Sequence, residues 1–114
     1  MGETPELLRL PPPIALYYFA SENTHDASAI GRCFASDATV RDENQTIRGL
    51  AAIRAWRSEA GRKYAHRVEP LEVAHNDGRI IVRGRVSGNF PGSPIVLDHI
   101  FALTGDRIVL LEIG

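Results

Sequence analysis

Asp42, Asp98 and Tyr18 are the side chains whose type and setting could carry acid–base chemistry in this sequence. Asp42 follows the short run Ala38-Thr39-Val40-Arg41, where Thr39 and Val40 have strand propensity. The run therefore delivers its carboxylate to a strand end, where it can face a cavity instead of bulk water. Asp98 lies within Ile95–Thr104, a second strand-like stretch, with apolar residues on both sides. Alternation places Val96, Asp98, Ile100 and Ala102 on one face and Leu97, His99, Phe101 and Leu103 on the other. If the Asp98 face is the inner one, desolvation favours the protonated acid, which is a hydrogen-bond donor. Tyr18 falls on a helical stripe with Ile14, Ala15, Phe19 and Glu22, which turns Tyr18 and Glu22 inward. Each residue also has a plainer reading. Asp42 would be a turn aspartate bonded to its own backbone, Tyr18 a core tyrosine with a satisfied hydroxyl, and Asp98 an outer-face residue, solvated or at an interface.

The remaining reactive side chains narrow the chemistry. His25, His66, His75 and His99 are scattered and show no HxxxH or HExxH spacing, so no metal site is expected. Cys33 is alone, cannot form an internal disulfide, and sits among apolar residues on a predicted helix, where it behaves as a small hydrophobe. Thirteen basic and fourteen acidic residues leave a formal charge of -1, without the positive field that recruits nucleic acid or an anionic membrane. No apolar run approaches the roughly 18 residues of a spanning helix, and the N-terminus lacks the pattern of a signal peptide. A soluble, cytoplasmic protein is the expectation.

The elements that must position these groups follow from periodicity and turn chemistry. Residues 1–13 read as an arm ending in Pro11, Pro12 and Pro13, and residues 14–114 as one domain. A helix is expected over Ile14–Asn23. Asp26 then caps a second helix over Ala27–Ala35 that directs Ile30, Cys33 and Phe34 to the core. Asp42-Glu43-Asn44-Gln45 is a polar turn in a small hairpin. Leu50 to about Arg62 reads as a helix with Leu50, Ala52, Ile53, Trp56 and Ala60 inward and Arg54, Arg57, Glu59 and Arg62 outward. Strands follow over Tyr64–Ala74, Arg79–Ser87, Ile95–Thr104 and Arg107–Ile113, with Asp77-Gly78 as a strong hairpin signal. The sum is an α+β domain: three helices interleaved with a hairpin, then a four-stranded antiparallel meander. A curved sheet wrapped by helices leaves a cavity. On its outer face, Leu97, Phe101, Leu103, Val109 and Ile81 would expose apolar area that a homodimer through the sheet would cover.

The first helix ending at Asn23 with His25-Asp26 beyond it, CFASDATVRD, the helix start RGLAAIRAW and the strand LDHIF together resemble the nuclear transport factor 2-like superfamily. That superfamily includes SnoaL-like proteins and ketosteroid isomerase, and the resemblance runs over about residues 14–113. It implies a cystatin-like α+β fold: a cone-shaped curved antiparallel sheet wrapped by three N-terminal helices and enclosing a pocket. It also implies roles: Asp42 as general base, Tyr18 and a protonated Asp98 as donors to an enolate oxygen, and Trp56, Val82, Gly84, Val86, Val96 and Leu111 as pocket lining. Glu43 stands where the isomerases have proline after the base, and Glu22 replaces an apolar residue. The function so implied is a cofactor-free isomerase or cyclase acting on a small apolar or carbonyl-bearing molecule. The alternative is a non-catalytic ligand-binding or interaction domain of the same fold.

Overall fold

Prolines open the first helix. Pro12–Leu16 forms helix α1, whose first turn needs no backbone N–H from Pro12 or Pro13, and it widens into a π turn at Tyr17 and Tyr18. The structure, a computed structural model, describes residues 10–18, 27–64 and 67–114. The expected extension of the first helix to Asn23, Phe19, Glu22, the cap at Asp26, His25, His66 and the arm as far as residue 9 lie outside the described residues.

A 3-10 turn at Ala27–Ala29 leads into α2, Ile30–Cys33. This helix is shorter than expected because Phe34 already has extended dihedrals (φ -107°, ψ 147°) and begins strand β1, Phe34–Asp42. Glu43 (φ 50°) and Asn44 (φ 68°) are both left-handed, as the tight turn into β2, Gln45–Arg48, requires. The expected small hairpin is therefore present, with Asp42 opposite Gln45. Helix α3 spans Leu50–Tyr64, and β3 spans Arg67–Asn76, so the helix continues through Tyr64, where the third strand was expected to begin. Asp77 (φ 52°) and Gly78 turn the chain into β4, Arg79–Ser87, and β5, Ile95–Thr104, and β6, Arg107–Ile113, complete the sheet.

The six strands form one curved, unclosed sheet in the order β2-β1-β6-β5-β4-β3. The expected meander is its larger part. The hairpin joins it through β1 and β6, which run parallel, so the sheet is not antiparallel throughout. A parallel pair needs a long crossover, and all of the chain between β1 and β6, α3 included, provides it. Register shifts between Phe34 and Thr39, Pro70 and Glu72, and Ala102 and Leu103 bend the strands where they occur.

One sheet face packs on the helices. Val40, Val82, Phe101, Ile108 and Leu111 meet Ile14, Tyr17, Ile30 and Ile53 there, all fully buried. Each such side chain contributes roughly 1.5–3 kcal/mol of transfer free energy. Tyr17 sits edge-on to Phe34 and Phe101, at ring-centroid distances of 5.7 and 5.9 Å.

The inward face of β5 is the opposite of the expected one. Phe101 is fully buried and His99 nearly so, whereas Asp98 and Val96 lie on the outer face. Alternation along the strand holds; its sign is reversed. Leu97, Phe101 and Leu103 carry more apolar volume than Val96, Ile100 and Ala102, so burying their face removes more area from water. Asp98 gains Arg83 opposite it on β4, with Nε donating to Oδ1 at 3.2 Å. Of the apolar residues expected on the outer face, Phe101 lies in the core and Leu97 and Leu103 pack against it. The outer face carries cross-strand ion pairs, Arg41–Glu112 at 2.8 Å, Arg85–Glu69 at 3.0 Å and Arg83–Asp98, beside the exposed Val96.

Candidate functional site

The sheet register brings the polar groups of the inner face together. Asp42 pairs with Ile113, Ile113 with His99, and His99 with Val82, so all four stand in one row across β1, β6, β5 and β4. Side chains of one row share a face. Asp42 and His99 are two strand spacings apart, about 10 Å, with Ile113 between them. Above this row lies a cavity of about 570 Å3. Its walls are mostly apolar, with Val68, Val86, Leu97 and Ile113 from the sheet and Phe90 and Pro91 from the loop between β4 and β5. Four polar side chains join them: Asp42, Glu43, Arg57 and His99. Apolar walls with a few placed polar groups are the usual make-up of a small-molecule site.

Asp42 is half-buried, at the end of β1 where the hairpin turn begins. The indole Nε1–H of Trp56 on α3 donates to its Oδ2 at 3.0 Å. That bond sets the plane of the carboxylate, and Oδ1 takes no hydrogen bond from the described residues. Asp42 is thus not bonded to its own turn. Glu43, one residue on, is exposed and adds a second carboxylate at the mouth of the cavity.

Arg57 follows Trp56 on α3 and overturns an expectation. It was placed on the solvent side of the helix, yet only 3% of it is exposed, and it lines the cavity. Its Nη1 donates to the Tyr17 hydroxyl at 3.3 Å, and its guanidinium lies 4.6 Å from the centroid of the Trp56 ring. The signal was present in the spacing: Leu50, Ile53 and Arg57 follow the three- and four-residue steps of a buried helix face. Arginine's usual exposure hid it.

His99 is 2% exposed, edge-on to Tyr18 at 5.7 Å and stacked near Phe101 at 6.5 Å. Gly84 on β4 leaves it room. A Cβ there would stand 3.6 Å from His99 Cε1 and Nδ1 and 2.8 Å from Val68 Cγ1. His99 had been expected on the face opposite Asp98, and it is; that face proves to be the one lining the cavity.

Among the residues singled out in the sequence, Asp42, Trp56 and Val86 line the cavity together. Tyr18 is buried behind His99 and packs on it. Val82 and Leu111 are fully buried in the core, and Gly84 is buried beneath His99. Asp98 and Val96 are on the far side of the sheet, so Tyr18 and Asp98 do not converge. Cys33 is buried, and desolvation pushes its thiol up to about 11, with Arg32 and Arg107 opposing that shift. Among the described residues, no group of three His, Cys, Asp or Glu side chains could hold a metal ion, and no helix is long and apolar enough to cross a membrane.

This architecture is that of a known family. The SnoaL-like domain model matches residues 15–111, and the chain belongs to that family. A proposed polyketide cyclase from Sinorhizobium meliloti is 36% identical, over 95% of this chain and 98% of that one, and superposes with a TM-score of 0.89. More distant structures share the fold alone. One is a protein of ketosteroid isomerase-like fold from Catenulispora acidiphila, crystallised with trimethylamine, at 18% identity over 91% of this chain and 85% of that one, with a TM-score of 0.77. Another is a nuclear transport factor 2-like protein from Cytophaga hutchinsonii, at 11% identity over 100% and 93%, with a TM-score of 0.75. No curated protein matches the sequence.

Proposed function

We propose that the cavity binds a small, mostly apolar, carbonyl-bearing molecule, and that Asp42 is the general base of an isomerase- or cyclase-type reaction. Asp42 takes a proton from the carbon next to the carbonyl. The C–H bond breaks, its electron pair forms a C=C bond, and the carbonyl electrons move onto oxygen. Return of the proton to another carbon completes an isomerisation. In a cyclisation the enolate carbon attacks a second carbonyl, forming a C–C bond, and the oxygen of that carbonyl takes the proton.

The observation that carries this reading is the Trp56–Asp42 hydrogen bond at 3.0 Å, which holds one carboxylate oxygen while the residue faces the cavity. Proton abstraction asks for that arrangement: a fixed base with a basic oxygen at the substrate. The 36% identity to a proposed polyketide cyclase supports the cyclase branch. The second reading, ligand binding without catalysis, is favoured by the same bond, since a hairpin end tied to a helix is also a structural device.

Deuterium incorporation separates the two. Bicyclic and tricyclic ketones, 2-tetralone first, are incubated with the protein in D2O and followed by proton NMR. Saturable exchange that falls by about 10²-fold or more in Asp42→Asn is the expected result. Wild-type exchange in Asp42→Asn would remove Asp42 as base, and binding without exchange would select the second reading.

A further inference from the structure

We propose that the part of the cavity formed by Ile95, Val86 and Val68, under Phe90 and Pro91, is a subsite for an apolar ring of the ligand, and that Ser93 holds its roof in place. The proposal rests on the reading of the cavity as a site for carbonyl compounds, and adds a shape to that class: elongated molecules with a ring remote from the carbonyl. Asp42 serves one end of such a molecule, and Ile95 and Phe90 select the other.

The sheet register gives the cavity a long axis. Ile95 pairs with Val86, and Val86 with Val68, so these three form a second row across β5, β4 and β3. It lies four residues along β5 and β4 from the row that holds His99 and Val82. At about 3.3 Å per residue the two rows are about 13 Å apart. Asp42 stands two strands over from His99, so its backbone is roughly 16 Å from that of Ile95 on the diagonal. Alternation keeps Ile95, Leu97 and His99 on one face, and all three line the cavity. The first row carries Asp42 and His99; the second is hydrocarbon throughout.

Exposure marks the second row as incomplete. Val68 and Val86 are 4% and 9% exposed, yet Ile95 in the same row is 43% exposed although it is on the inner face and lines the cavity. An apolar ring seated there would take that side chain out of water, which the fold by itself does not do. The roof is held ready for it. The loop between β4 and β5 contributes Phe90 and Pro91 to the cavity wall, and Phe90, half-buried, also packs against the core. Ser93 ties this loop twice: its Oγ accepts the Gly88 N–H at 2.9 Å, and its own N–H donates to the Phe90 carbonyl at 3.3 Å. The hydroxyl closes the loop at its base and leaves Phe90 and Pro91 between the tied ends. Ser93 is therefore a positioning residue, which acts on the ligand through Phe90, and a roof already ordered costs less to order on binding.

The test compares two isomers with the same atoms and different shapes. In 4-phenylcyclohexanone the ring is remote from the carbonyl; in 2-phenylcyclohexanone it is beside it. Binding is followed by the fluorescence of Trp56, which lines the cavity. The wild-type protein is expected to bind the 4-isomer at least about tenfold tighter than the 2-isomer. Phe90→Ala should bring that ratio close to one. Ile95→Thr, which keeps a β-branched side chain at an exposed strand position, should lower it about threefold. Ser93→Ala should lower it by a similar factor, about threefold, and Ser93→Thr, which keeps the hydroxyl, should preserve it. Thermal melts report whether each variant is folded, and Ile95→Thr decides if Phe90→Ala does not fold. Equal affinities, a tighter 2-isomer, no binding of the 4-isomer up to about 1 mM, or a wild-type ratio in folded Ile95→Thr would each overturn the proposal. A wild-type ratio in Ser93→Ala would overturn the role of Ser93. Preference for the 4-isomer without deuterium exchange would remove the catalytic reading and leave this subsite standing; exchange without that preference would do the reverse.

Discussion

Asp42 and Asp98 are the same side chain on opposite faces of one sheet, and the faces give them different chemistry. Asp42 ends β1 on the inner face, held by a neutral indole beside a cavity of about 570 Å3. Asp98, in mid-strand on the outer face, is bound by a full positive charge, and the Arg83 guanidinium is in turn held more firmly protonated by its hydrogen bond and attraction to Asp98. Asp98 is taken up by an ion pair on the outer face, whereas Asp42 lines the cavity with one oxygen that accepts no hydrogen bond from the described residues. Residue type therefore says little about function in this chain until the face is known.

The sharpest way to break this comparison is to neutralise each aspartate in turn. Asp42→Asn should lower deuterium exchange by about 10²–10⁴-fold, and Asp98→Asn should change it by less than about twofold. Similar losses in both would show that the faces are not functionally distinct. Stability should divide the same way. Phe101→Ala on the inner face is expected to cost about 3–5 kcal/mol in urea unfolding, against about 0.5 kcal/mol or less for Val96→Ala on the outer face.

A smaller effect isolates the positioning of the base. Trp56→Phe removes the indole N–H but keeps an aromatic ring under Arg57, and should lower exchange about tenfold while costing about 1–2 kcal/mol. Because Trp56 is the sole tryptophan, its fluorescence also reports ligand entry in the wild-type protein.

Cys33 tests the burial of the helix side. Its folded value of about 11 lies above the ordinary thiol value of 9.0, so the fold disfavours the thiolate. Its contribution is complete below pH 9.0 and is lost as the pH rises through about 11, so stability should decline across that window and decline less in Cys33→Ala. At mildly alkaline pH, labelling by a disulfide reagent should run about 10²-fold slower than in urea-unfolded protein. The smallest effect belongs to the outer ion pairs: replacing Arg83 by Gln should leave the urea midpoint within error, since exposed pairs are screened by water and salt.

What the chain determined alone was its local structure. Asp-Gly at 77–78, the polar turn after Asp42, the strands Arg79–Ser87, Ile95–Thr104 and Arg107–Ile113, and an inward Trp56 all follow from turn chemistry and periodicity over a few residues. Tertiary structure decided the rest. Alternation along β5 divides its residues into two faces without saying which is covered; that depended on the apolar volume the helices could enclose, and it sent His99 in and Asp98 out. The parallel pairing of β1 with β6 joins segments far apart in sequence, and only that pairing sets Asp42 in the row with His99. Arg57 stood at a buried helical position throughout, but its charge disguised it until Tyr17 and Trp56 were seen to receive it. A strand or helix period is fixed by the backbone, whereas the direction it faces is fixed by what the whole fold can bury.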